Sequence, residues 1–418
     1  MRRVVVVGSG VIGLCVSLYC LRRGFAVTLV DRDAPARESC SFGNAGMIVP
    51  SHFTPLAAPG AVRLGLKWML DPTAPFHIKP RLSLDLFAWL VRFARSATRA
   101  HVERAAPLLR DLSLASRACY EELAAQPDVA FGLVRNGLLM VCRTAHSWRE
   151  ELDTAAYARQ LGIAAEPHAG RAALALDPTL RDDIAGAVHY PLDCHLSPDR
   201  LMAFLEAEVA RAGGIFMWDT PVSGWRSDTK STRVLAAVTR AGREIEADEF
   251  VLCAGAWSPA TVRELGLAMP IQAGKGYTLT LPKLARPPAH CAILAEARVA
   301  VTPMNGGVRA GGTMELAGLT REINAPRVRA IVDALSRYYA TMGAKDFADL
   351  VPWSGLRPCS PDGLPYIGRT RQRANLTIAA GHAMMGITLG PITGKMVAML
   401  LSGEPPPFDL TQLSPDRY

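Results

Sequence analysis

Three glycines near the N-terminus have the spacing of a phosphate-binding turn. Gly8, Gly10 and Gly13 follow four consecutive valines, and a second apolar run ends at an aspartate 18 residues beyond the last of these glycines. The first glycine allows the tight turn, the second lets a diphosphate approach the backbone, and the third lets the helix pack on the strand. A carboxylate at the second strand's end can accept from a ribose hydroxyl. The residues predicted to form this dinucleotide site are Gly8, Gly10, Val11, Ile12, Gly13, Asp31 and Arg32.

Three later stretches of small residues can bring backbone close to a ligand. They are residues 37–47, residues 253–257 (Cys-Ala-Gly-Ala-Trp) and residues 381–391, which open a C-terminal helix. The first is either a surface turn or a cofactor loop, and its place after the nucleotide unit favours the cofactor. The third can stabilise negative charge on a reduced flavin ring, because a helix N-terminus has unpaired N–H groups. The cofactor contacts predicted outside the nucleotide unit are Ser41, Asn44, Ala45, Gly46, Val222, Ala254, Gly255, Trp257, Gly355, Arg357, Gly381, Met385, Gly386, Ile387 and Thr388.

The composition excludes several classes of protein. A chain of 418 residues, half of them apolar, predicts two domains with large cores. Its nine cysteines form no C-x-x-C pair and no zinc-type cluster with histidine, which predicts reduced thiols and no metal site. The net charge of +8 is spread along the chain, so nucleic acid is not an expected partner. A basic chain does suit anions such as a flavin diphosphate, a carboxylate substrate or an acidic lipid surface.

Two stretches bear on the membrane. Arg2 and Arg3 precede an apolar run as in a secretory signal, but the glycines at cofactor spacing predict a retained structural unit. The sequence contains no uninterrupted run of about 18 apolar residues, so no membrane-spanning helix is predicted. Residues 84–91 have apolar side chains at helical spacing with arginines opposite, and a second helix is predicted over about 105–125. These helices either lie on a membrane or partner, or cover a substrate domain with solvated arginines. We expect a cytoplasmic protein, or one peripheral on the cytoplasmic membrane face.

The remaining pattern alternates strands and helices, which predicts an α/β protein. Ser197 is expected to cap a helix whose first residue is Pro198. The strands from 272 onward are expected to form an antiparallel sheet. Helices are predicted over residues 148–161, 199–213 and 326–342. Strands are predicted over residues 137–142, 215–218, 222–227, 234–240, 244–246, 250–252, 272–281, 292–295, 300–304, 307–311 and 376–380.

Five ordered motifs together resemble one family. They are the N-terminal glycines with Asp31, residues 41–46 (Ser-Phe-Gly-Asn-Ala-Gly), residues 253–257, residues 355–358 (Gly-Leu-Arg-Pro) and residues 381–388. In order and spacing they resemble the D-amino-acid oxidase superfamily of FAD-dependent oxidoreductases, over nearly the whole chain. The insertion over residues 55–80 is most similar to the bacterial D-amino-acid dehydrogenase branch.

The resemblance implies a Rossmann-like FAD-binding domain, assembled from separated segments, and an α+β substrate domain with an antiparallel sheet. The FAD-binding segments are then residues 1–57, 165–262 and 348–418, and the substrate segments are 58–164 and 263–347. No cysteine motif for covalent attachment is present, so FAD is expected to bind non-covalently. The family's carboxylate-binding arginine matches Arg357. The lid tyrosine of the eukaryotic oxidases has no counterpart in residues 284–304, so His52 or Tyr277 is a hypothetical second contact, and Met384 is predicted to line the substrate site.

The predicted reaction is oxidation of a D-amino acid, with hydride transfer from the α-carbon to flavin N5. The substrate is either an open-chain amino acid or a cyclic one such as D-proline or D-hydroxyproline. A glycine- or sarcosine-type amine oxidase, a non-catalytic subunit of a larger flavoprotein complex and a nicotinamide-dependent dehydrogenase are the alternatives. The electron acceptor (a quinone, another carrier or oxygen) and the oligomeric state stay open.

Overall fold

The computed structural model of this chain describes residues 1–37, 39–69, 71, 73–127, 129, 131–228 and 232–418. Glu38 of the predicted cofactor loop, and Leu70 and Pro72 of the 55–80 insertion, lie outside the described residues. The described strands form a six-stranded and a nine-stranded sheet, with a three-stranded and a two-stranded sheet beside them.

The six-stranded sheet is built around the N-terminal valines. These four valines are buried on both faces of their strand, which pairs in parallel with a neighbour on each side. Among the described strands of this sheet the only antiparallel pair lies at one edge, so the sheet is of the doubly wound type. Its strands in spatial order are β19 (Tyr366–Thr370), β20 (Arg373–Ala380), β13 (Glu249–Leu252), β1 (Arg3–Val7), β2 (Ala26–Val30) and β9 (Ile215–Met217).

The nine-stranded sheet forms the second domain's framework. Its long central strands pair antiparallel, as predicted from residue 272 onward, while two of its pairs are parallel. In spatial order its strands are β18 (Trp353–Cys359), β14 (Gln272–Leu281), β17 (Gly307–Leu316), β16 (Val299–Met304), β15 (Cys291–Leu294), β5 (Leu138–Cys142), β7 (Gly186–Tyr190) and β6 (Glu166–Ala169), with β4 (Phe76–Ile78) beside β17. The small sheets contain β10 (Val222–Ser227), β11 (Val234–Thr239) and β12 (Glu244–Glu246), and β3 (Met47–Ile48) with β8 (Cys194–His195).

Helices cover both sheets. The α-helices of the described residues are α1 (Val11–Arg22), α2 (Ala61–Trp68), α3 (Leu84–Ser96), α4 (Arg99–Ala124), α5 (Ala145–Gln160), α6 (Ala172–Leu176), α7 (Pro198–Arg211), α8 (Ser258–Val262), α9 (Ala325–Tyr338) and α10 (Gly386–Ser402). Short 3₁₀ helices cover Gly255–Trp257, Arg263–Leu265, Ala344–Phe347 and Thr411–Leu413. The first and last α-helices cross closely, since a Cβ at Gly394 would lie 2.6 Å from the Cys15 backbone. This contact brings the two ends of the chain together at the cofactor site.

Several predicted elements differ from the structure in their bounds or caps; the helix predicted over 326–342, for example, ends at Tyr338. Helix α4 begins at Arg99 rather than near residue 105, because the Thr98 hydroxyl accepts from the His101 N–H at 3.2 Å and starts the helix earlier. Strand β17 continues to Leu316 rather than ending at residue 311, because β14 and β4 pair with the added residues. Ser197 does precede Pro198 at the start of α7, but its buried hydroxyl makes no capping hydrogen bond.

Sheet membership also bears on the domain boundaries. Strands β6 and β7 pair with the substrate-side sheet, although the prediction places residues 165–262 in the FAD-binding domain. Strand β18 pairs with β14 although residues 348–418 were assigned to the FAD-binding domain. The Gly-Leu-Arg-Pro motif is thus part of the substrate-side sheet and is followed directly by cofactor-domain strands.

Candidate functional site

The N-terminal glycine loop has two positions that tolerate no side chain. Gly8 has φ +104°, and a Cβ there would lie 2.5 Å from the Cys253 carbonyl oxygen. A Cβ at Gly13 would lie 1.8 Å from the Gly8 oxygen. At Gly10 the Ser41 hydroxyl, 3.4 Å away, is the only atom of the described residues within 4 Å. The first and third glycines therefore hold the turn together, and the second leaves backbone open to a ligand.

The N-terminus of α1 is open to an anion. Gly10 occupies the N-cap position and offers no side chain, and the first turn contains no acidic residue. The Val11 N–H donates to the Ser41 hydroxyl at 3.0 Å, which places Ser41 beside the turn as the sequence predicts. The remaining N–H groups of this turn and the helix dipole suit a diphosphate.

Asp31 lies at the end of β2 but is already partly engaged. Its Oδ2 accepts from the Ser9 N–H and the Ser9 hydroxyl, each at 2.6 Å, and its Oδ1 accepts from the Asp33 N–H at 3.0 Å. A carboxylate offers about four acceptor sites, so one remains for a ribose hydroxyl. Buried Arg37 donates to the Ser9 carbonyl at 2.7 Å and pairs with Glu206 at 2.6 Å. Ser9 is thus fixed from both sides, and Arg37 is a positioning residue that sequence reasoning missed, although it lies inside the predicted cofactor loop.

Two predicted cofactor residues contact each other. The Arg32 guanidinium lies 3.6 Å from the ring centre of Trp257, a cation–π stack. Trp257 ends the 3₁₀ helix that follows β13, where Gly255 has φ +55° and no atom within 4 Å of a would-be Cβ. Ala254 and Val222 pack against an apolar cluster of the parallel sheet, whereas Trp257 packs against a separate cluster with Ala273 and Leu356.

Residues 41–46 connect the nucleotide turn to the large sheet. The Asn44 side chain accepts from the Gly46 N–H at 2.7 Å, and a Cβ at Gly46 would lie 2.1 Å from the Leu196 carbonyl oxygen. Ala45 packs against the cluster that contains Met385. The buried Arg309 side chain of β17 donates to the carbonyls of Phe42 and Asn44 at 2.9 and 3.0 Å. Arg309 was not predicted, because its role depends on strand register rather than on a local motif.

The N-terminus of α10 lies next to that of α1. A Cβ at Gly386 would approach Val11 at 4.0 Å, and the first turn of α10 contains no acidic residue. The Thr388 hydroxyl donates to the Met47 carbonyl at 3.1 Å, and the Tyr120 hydroxyl donates to the Ile387 carbonyl at 2.6 Å. Met385 and Gly381 (φ +78°) lead into this turn. Two helix N-termini therefore face one crevice, which fits a ligand with separated sites of negative charge.

Arg357 lies half-buried on the face of the large sheet. A Cβ at Gly276 would lie 2.2 Å from its Nη1, so the guanidinium rests on strand β14 where glycine leaves room. Its Nη1 donates to the Thr313 carbonyl at 2.6 Å, and no carboxylate of the described residues pairs with it. Gly355, two residues before it, pairs with Gly276. The remaining donors of this guanidinium are free to bind an anion.

Two further features surround Arg357. Burial raises the pKa of Cys40, and the positive charges of Arg357 and Arg321 oppose that rise. Two guanidinium groups therefore act on the start of the cofactor loop, and Arg321 was not predicted. The Ala383 N–H donates to the Pro358 carbonyl at 2.9 Å, which brings residues 381–385 alongside the end of β18. Met384, which the sequence predicts to line the substrate site, is 48% exposed and follows Ala383 in this turn.

Tyr277 does not join the predicted substrate site. It is fully buried, its hydroxyl donates to Glu315 at 2.7 Å, and it packs with Ile331 and Leu335 of α9. Side chains alternate along a strand, and it is Gly276 and Thr278 that face Arg357 and the cofactor loop. The prediction for Tyr277 was wrong because it ignored this alternation.

His52 lies in the segment that follows β3. The ring is half-buried, its Nδ1 is 3.1 Å from the Ser51 hydroxyl, and burial together with the charge of Arg298 lowers its pKa to about 4. His382 has a different environment, since burial lowers its pKa to about 3 and its Nε2 contacts the Thr393 hydroxyl at 3.0 Å. His52 therefore keeps a ring edge available to a ligand, and His382 stabilises the start of α10.

Other predicted features concern cysteines, metals and membrane spans. All nine cysteines are free thiols, and Cys359 packs in an apolar cluster with Trp89 and Met314. Among the described residues no cluster of three or more metal-ligating side chains exists. Within the same residues no helix is both long and apolar enough to cross a membrane.

Comparisons with known proteins agree with this geometry. Residues 3–400 match the family model for FAD-dependent oxidoreductases. The chain is 32% identical over 426 residues to a D-amino acid dehydrogenase of Bradyrhizobium diazoefficiens, an alignment that covers 100% of this chain and 99% of the relative. It is 33% identical over 422 residues to a D-amino acid dehydrogenase of Paramagnetospirillum magneticum, with the same coverage.

Solved structures share the fold. Glycine oxidase of Geobacillus kaustophilus superposes with a TM-score of 0.79 at 24% identity, covering 100% of both chains. L-proline dehydrogenase of P. horikoshii superposes with a TM-score of 0.76 at 16% identity, covering 100% of this chain and 97% of that chain. The predicted pairing of a Rossmann-like domain with a sheet-based substrate domain is confirmed. The side-chain-free glycine turn, the spare acceptor site of Asp31 and the two open helix N-termini fit FAD, and the chain belongs to the family of FAD-dependent oxidoreductases, with FAD as its cofactor.

Proposed function

We propose that this chain is a D-amino-acid dehydrogenase in which Arg357 binds the substrate carboxylate. The full-length relatives named D-amino acid dehydrogenase support the reaction. One observation carries the binding role: a half-buried guanidinium with no carboxylate partner among the described residues. A guanidinium binds a carboxylate through two parallel hydrogen bonds, which fixes the position of the α-carbon.

Different residues of this protein then have separate roles in the reaction. FAD, when bound, supplies the hydride acceptor. The glycine turn and the α1 N-terminus hold its diphosphate, and Asp31 holds the ribose. The α10 N-terminus stabilises negative charge on the ring, since its first turn has unpaired N–H groups and no acidic residue. Such a reaction depends on orientation more than on a strong side-chain acid or base.

Kinetics on amino acids test the role of Arg357. Replacement of a buried charged partner costs about 3 kcal/mol, so Arg357→Ala should lower kcat/KM on the best D-amino acid by more than about 100-fold while the protein keeps its FAD absorbance. Arg357→Lys is the matched control and should recover part of the loss, because it restores charge without the fork. Unchanged kinetics in Arg357→Ala would reject the assignment. Turnover of L-isomers alone would reject the stereochemistry, and an inactive purified chain would favour a non-catalytic subunit.

We further propose that the substrate is a cyclic D-amino acid such as D-proline or D-hydroxyproline. The observation behind this is the segment of residues 50–55, in which His52 Nε2 makes no hydrogen bond to any described residue. Initial rates on D-proline, D-hydroxyproline, D-alanine, glycine and sarcosine, at equal subsaturating concentration, compare the candidates. Higher kcat/KM on glycine or sarcosine than on any D-isomer would replace this proposal by the amine-oxidase alternative.

The electron acceptor is proposed to be a quinone reached at a membrane surface. Residues 60–99 contain seven Lys or Arg against two Asp. Helix α2 buries none of its side chains, and large apolar groups are exposed both on α2 and at the start of α3. We call this the apolar-basic surface, and its exposed apolar residues are Val62, Leu64, Leu66, Leu82, Leu84 and Phe87. Apolar side chains interleaved with cations suit an anionic lipid bilayer.

Vesicle binding tests this surface. The chain should sediment with vesicles containing anionic phosphatidylglycerol and not with neutral phosphatidylcholine vesicles. The double variant Leu84→Ser/Phe87→Ser should lose most of that binding, while Ile215→Ser, which is 61% exposed on a distant edge strand, should not change it. Equal binding by both variants would reject the surface. Peroxide formation at rates equal to dye reduction would reject the membrane acceptor in favour of oxygen.

A further inference from the structure

A continuous hydrogen-bond chain connects a buried carboxylate to His52. Asp193 is 1% exposed, and its Oδ1 accepts from the Ser51 N–H at 3.0 Å while its Oδ2 accepts from the Ser51 hydroxyl at short distance. The Ser51 hydroxyl oxygen in turn contacts His52 Nδ1 at 3.1 Å. The hydrogen-bond chain ends at His52 Nε2, which makes no hydrogen bond to any described residue.

The position of this chain is relevant to catalysis. Ser51 and His52 follow β3, whose Met47 carbonyl is bonded to Thr388 at the start of α10. Phe53, the next residue, packs in the cluster that includes Met385. The segment that carries His52 therefore starts beside the α10 N-terminus, one of the two helix N-termini of the candidate cofactor site.

Asp193 is unusual because no cation pairs with it in the described part of the chain. An ionised carboxylate without a counter-ion is expensive to bury. Burial raises the pKa of Asp193 to about 7, although the Ser51 hydrogen bonds and the charge of Arg117 from α4 act in the opposite direction. Cys194, Cys291 and Tyr190 also face it, but burial raises their own pKa values, so they are neutral. A buried acid that titrates near neutrality is a functional candidate.

The protonation state of Asp193 fixes the tautomer of His52. When Asp193 is ionised it only accepts, so the Ser51 hydroxyl donates to it and His52 Nδ1–H donates to Ser51. Nε2 is then an unprotonated acceptor. When Asp193 carries a proton on Oδ2, the directions reverse, Ser51 donates to Nδ1, and Nε2–H becomes a donor. The free edge of His52 thus switches between acceptor and donor without a charge on the ring.

We propose that Asp193, Ser51 and His52 form a proton relay that takes the proton which the substrate amine must lose before oxidation. The ammonium N–H bond breaks and an Nε2–H bond forms. His52 Nδ1–H passes its proton to Ser51 Oγ, and Ser51 Oγ–H passes its own to Asp193 Oδ2. No imidazolium forms, which matters because Arg298 and burial lower the pKa of His52 to about 4. The reverse sequence returns the proton to solvent after product leaves. The relay rests on the proposed function for its amine.

Nitrogen NMR of the FAD-loaded protein tests the relay without turnover. With ¹⁵N-labelled histidine and no substrate, the His52 signals, assigned by their absence in His52→Asn, should change from the Nε2–H to the Nδ1–H tautomer as the pH rises through about 7. In Asp193→Asn the side-chain amide donates to Ser51, so the Nε2–H tautomer should persist at every pH. A wild-type His52 tautomer that does not change between about pH 5.5 and 8.5 would overturn the relay whether or not the protein oxidises amino acids.

Kinetics then link the relay to the amine. Ser51→Ala keeps both end groups but breaks the chain, and should lower kcat/KM at pH 7 by about 100-fold, the usual contribution of a general base. The deficit should shrink to about threefold at pH 10, where the amine loses its proton in solution. Ser51→Thr restores a hydroxyl and should recover the rate at pH 7. Ser113→Ala, at a buried hydroxyl without a partner among the described residues, is the matched control.

The two readouts separate the proposals. A Ser51→Ala pH profile that parallels the wild-type profile would overturn the relay and leave the assigned reaction intact. A tautomer switch in a protein that oxidises no amino acid would overturn the proposed function and, with it, the role of the relay toward an amine. Loss of the pH 7 rate together with the switch supports both.

Discussion

The nucleotide end and the substrate end of the crevice are specified in different ways. At the nucleotide end, atoms within a few residues decide the geometry: a Cβ at Gly13 would lie 1.8 Å from the Gly8 oxygen. At the substrate end, Arg357 of β18 rests on β14 and donates to β17, so its position depends on the pairing of three strands distant in sequence. Local steric requirements leave a mark in a motif, whereas strand register does not. The geometry of the nucleotide end can therefore be predicted from a single sequence, whereas that of the substrate end can be predicted only in part.

The largest expected effect comes from a substitution in the glycine turn at the nucleotide end. Gly13→Ala forces helix α1 away from the strand it packs on, and should reduce the free energy of unfolding by about 3 kcal/mol, with loss of FAD. Gly10→Ala is the matched control, since its nearest neighbour is the Ser41 hydroxyl at 3.4 Å. It should change the free energy of unfolding of the FAD-free protein by less than about 1 kcal/mol, although its methyl group would obstruct the diphosphate and weaken FAD binding. Denaturant titration and the flavin-to-protein absorbance ratio measure both, and equal destabilisation by the two variants would contradict the steric argument.

A smaller effect tests the connection between the two ends. Arg309→Met removes the donors that hold the Phe42 and Asn44 carbonyls to the large sheet. We expect a loss of about 2 kcal/mol in unfolding free energy, as for buried charged hydrogen bonds, and faster FAD dissociation. The exposed Arg226, which pairs with Glu244 and Glu246, provides the control, and Arg226→Met should change stability by less than about 0.5 kcal/mol. Unaltered FAD dissociation in Arg309→Met would show that the loop holds its shape without the sheet.

The acid stability of the α10 N-terminus gives a further comparison. Burial lowers the pKa of His382 to about 3 from its ordinary 6.5. Between these values the unfolded chain binds the proton and the native protein does not, so stability falls as the pH falls. In His382→Gln the free energy of unfolding should therefore depend less steeply on pH below 6.5, by up to about 1.4 kcal/mol per pH unit. Asp193 and Glu151, whose pKa values burial raises to about 7, act with the opposite sign. The contribution of His382 is therefore the difference between the stability–pH curves of the variant and the wild type. Parallel curves would contradict the conclusion that His382 is buried and neutral.

The smallest effect concerns the residue that the sequence misplaced. Tyr277→Phe removes a hydrogen bond to Glu315 on the far face of β14. It should lower the free energy of unfolding by about 1 kcal/mol and leave KM unchanged. A large rise in KM in Tyr277→Phe would show that Tyr277 does contact the substrate.

These differences explain what the sequence predicts. The run of valines, the glycine spacing and the apolar periodicity predict β1, the dinucleotide turn and most strands of the large sheet, because each is a local preference. Arg309 carries no motif, and only the register of β17 reveals it. Arg321, in the loop between β17 and α9, carries no motif either. Tyr277 shows the same limit: a one-residue shift in a strand turns a side chain to the opposite face. Arg37 is different, since it lies within the predicted loop and a basic residue beside a diphosphate turn is a readable signal.

Binding of an inert carboxylate tests the central assignment most directly. Pyrrole-2-carboxylate has the ring and the carboxylate of a cyclic amino acid but no oxidisable α-C–H, and its binding can be followed by the flavin absorbance. The dissociation constant should rise by about 100-fold in Arg357→Ala, equivalent to about 3 kcal/mol, while pyrrole, which lacks the carboxylate, should bind both proteins equally weakly. Equal affinity of the two proteins for pyrrole-2-carboxylate would show that Arg357 does not hold the substrate carboxylate.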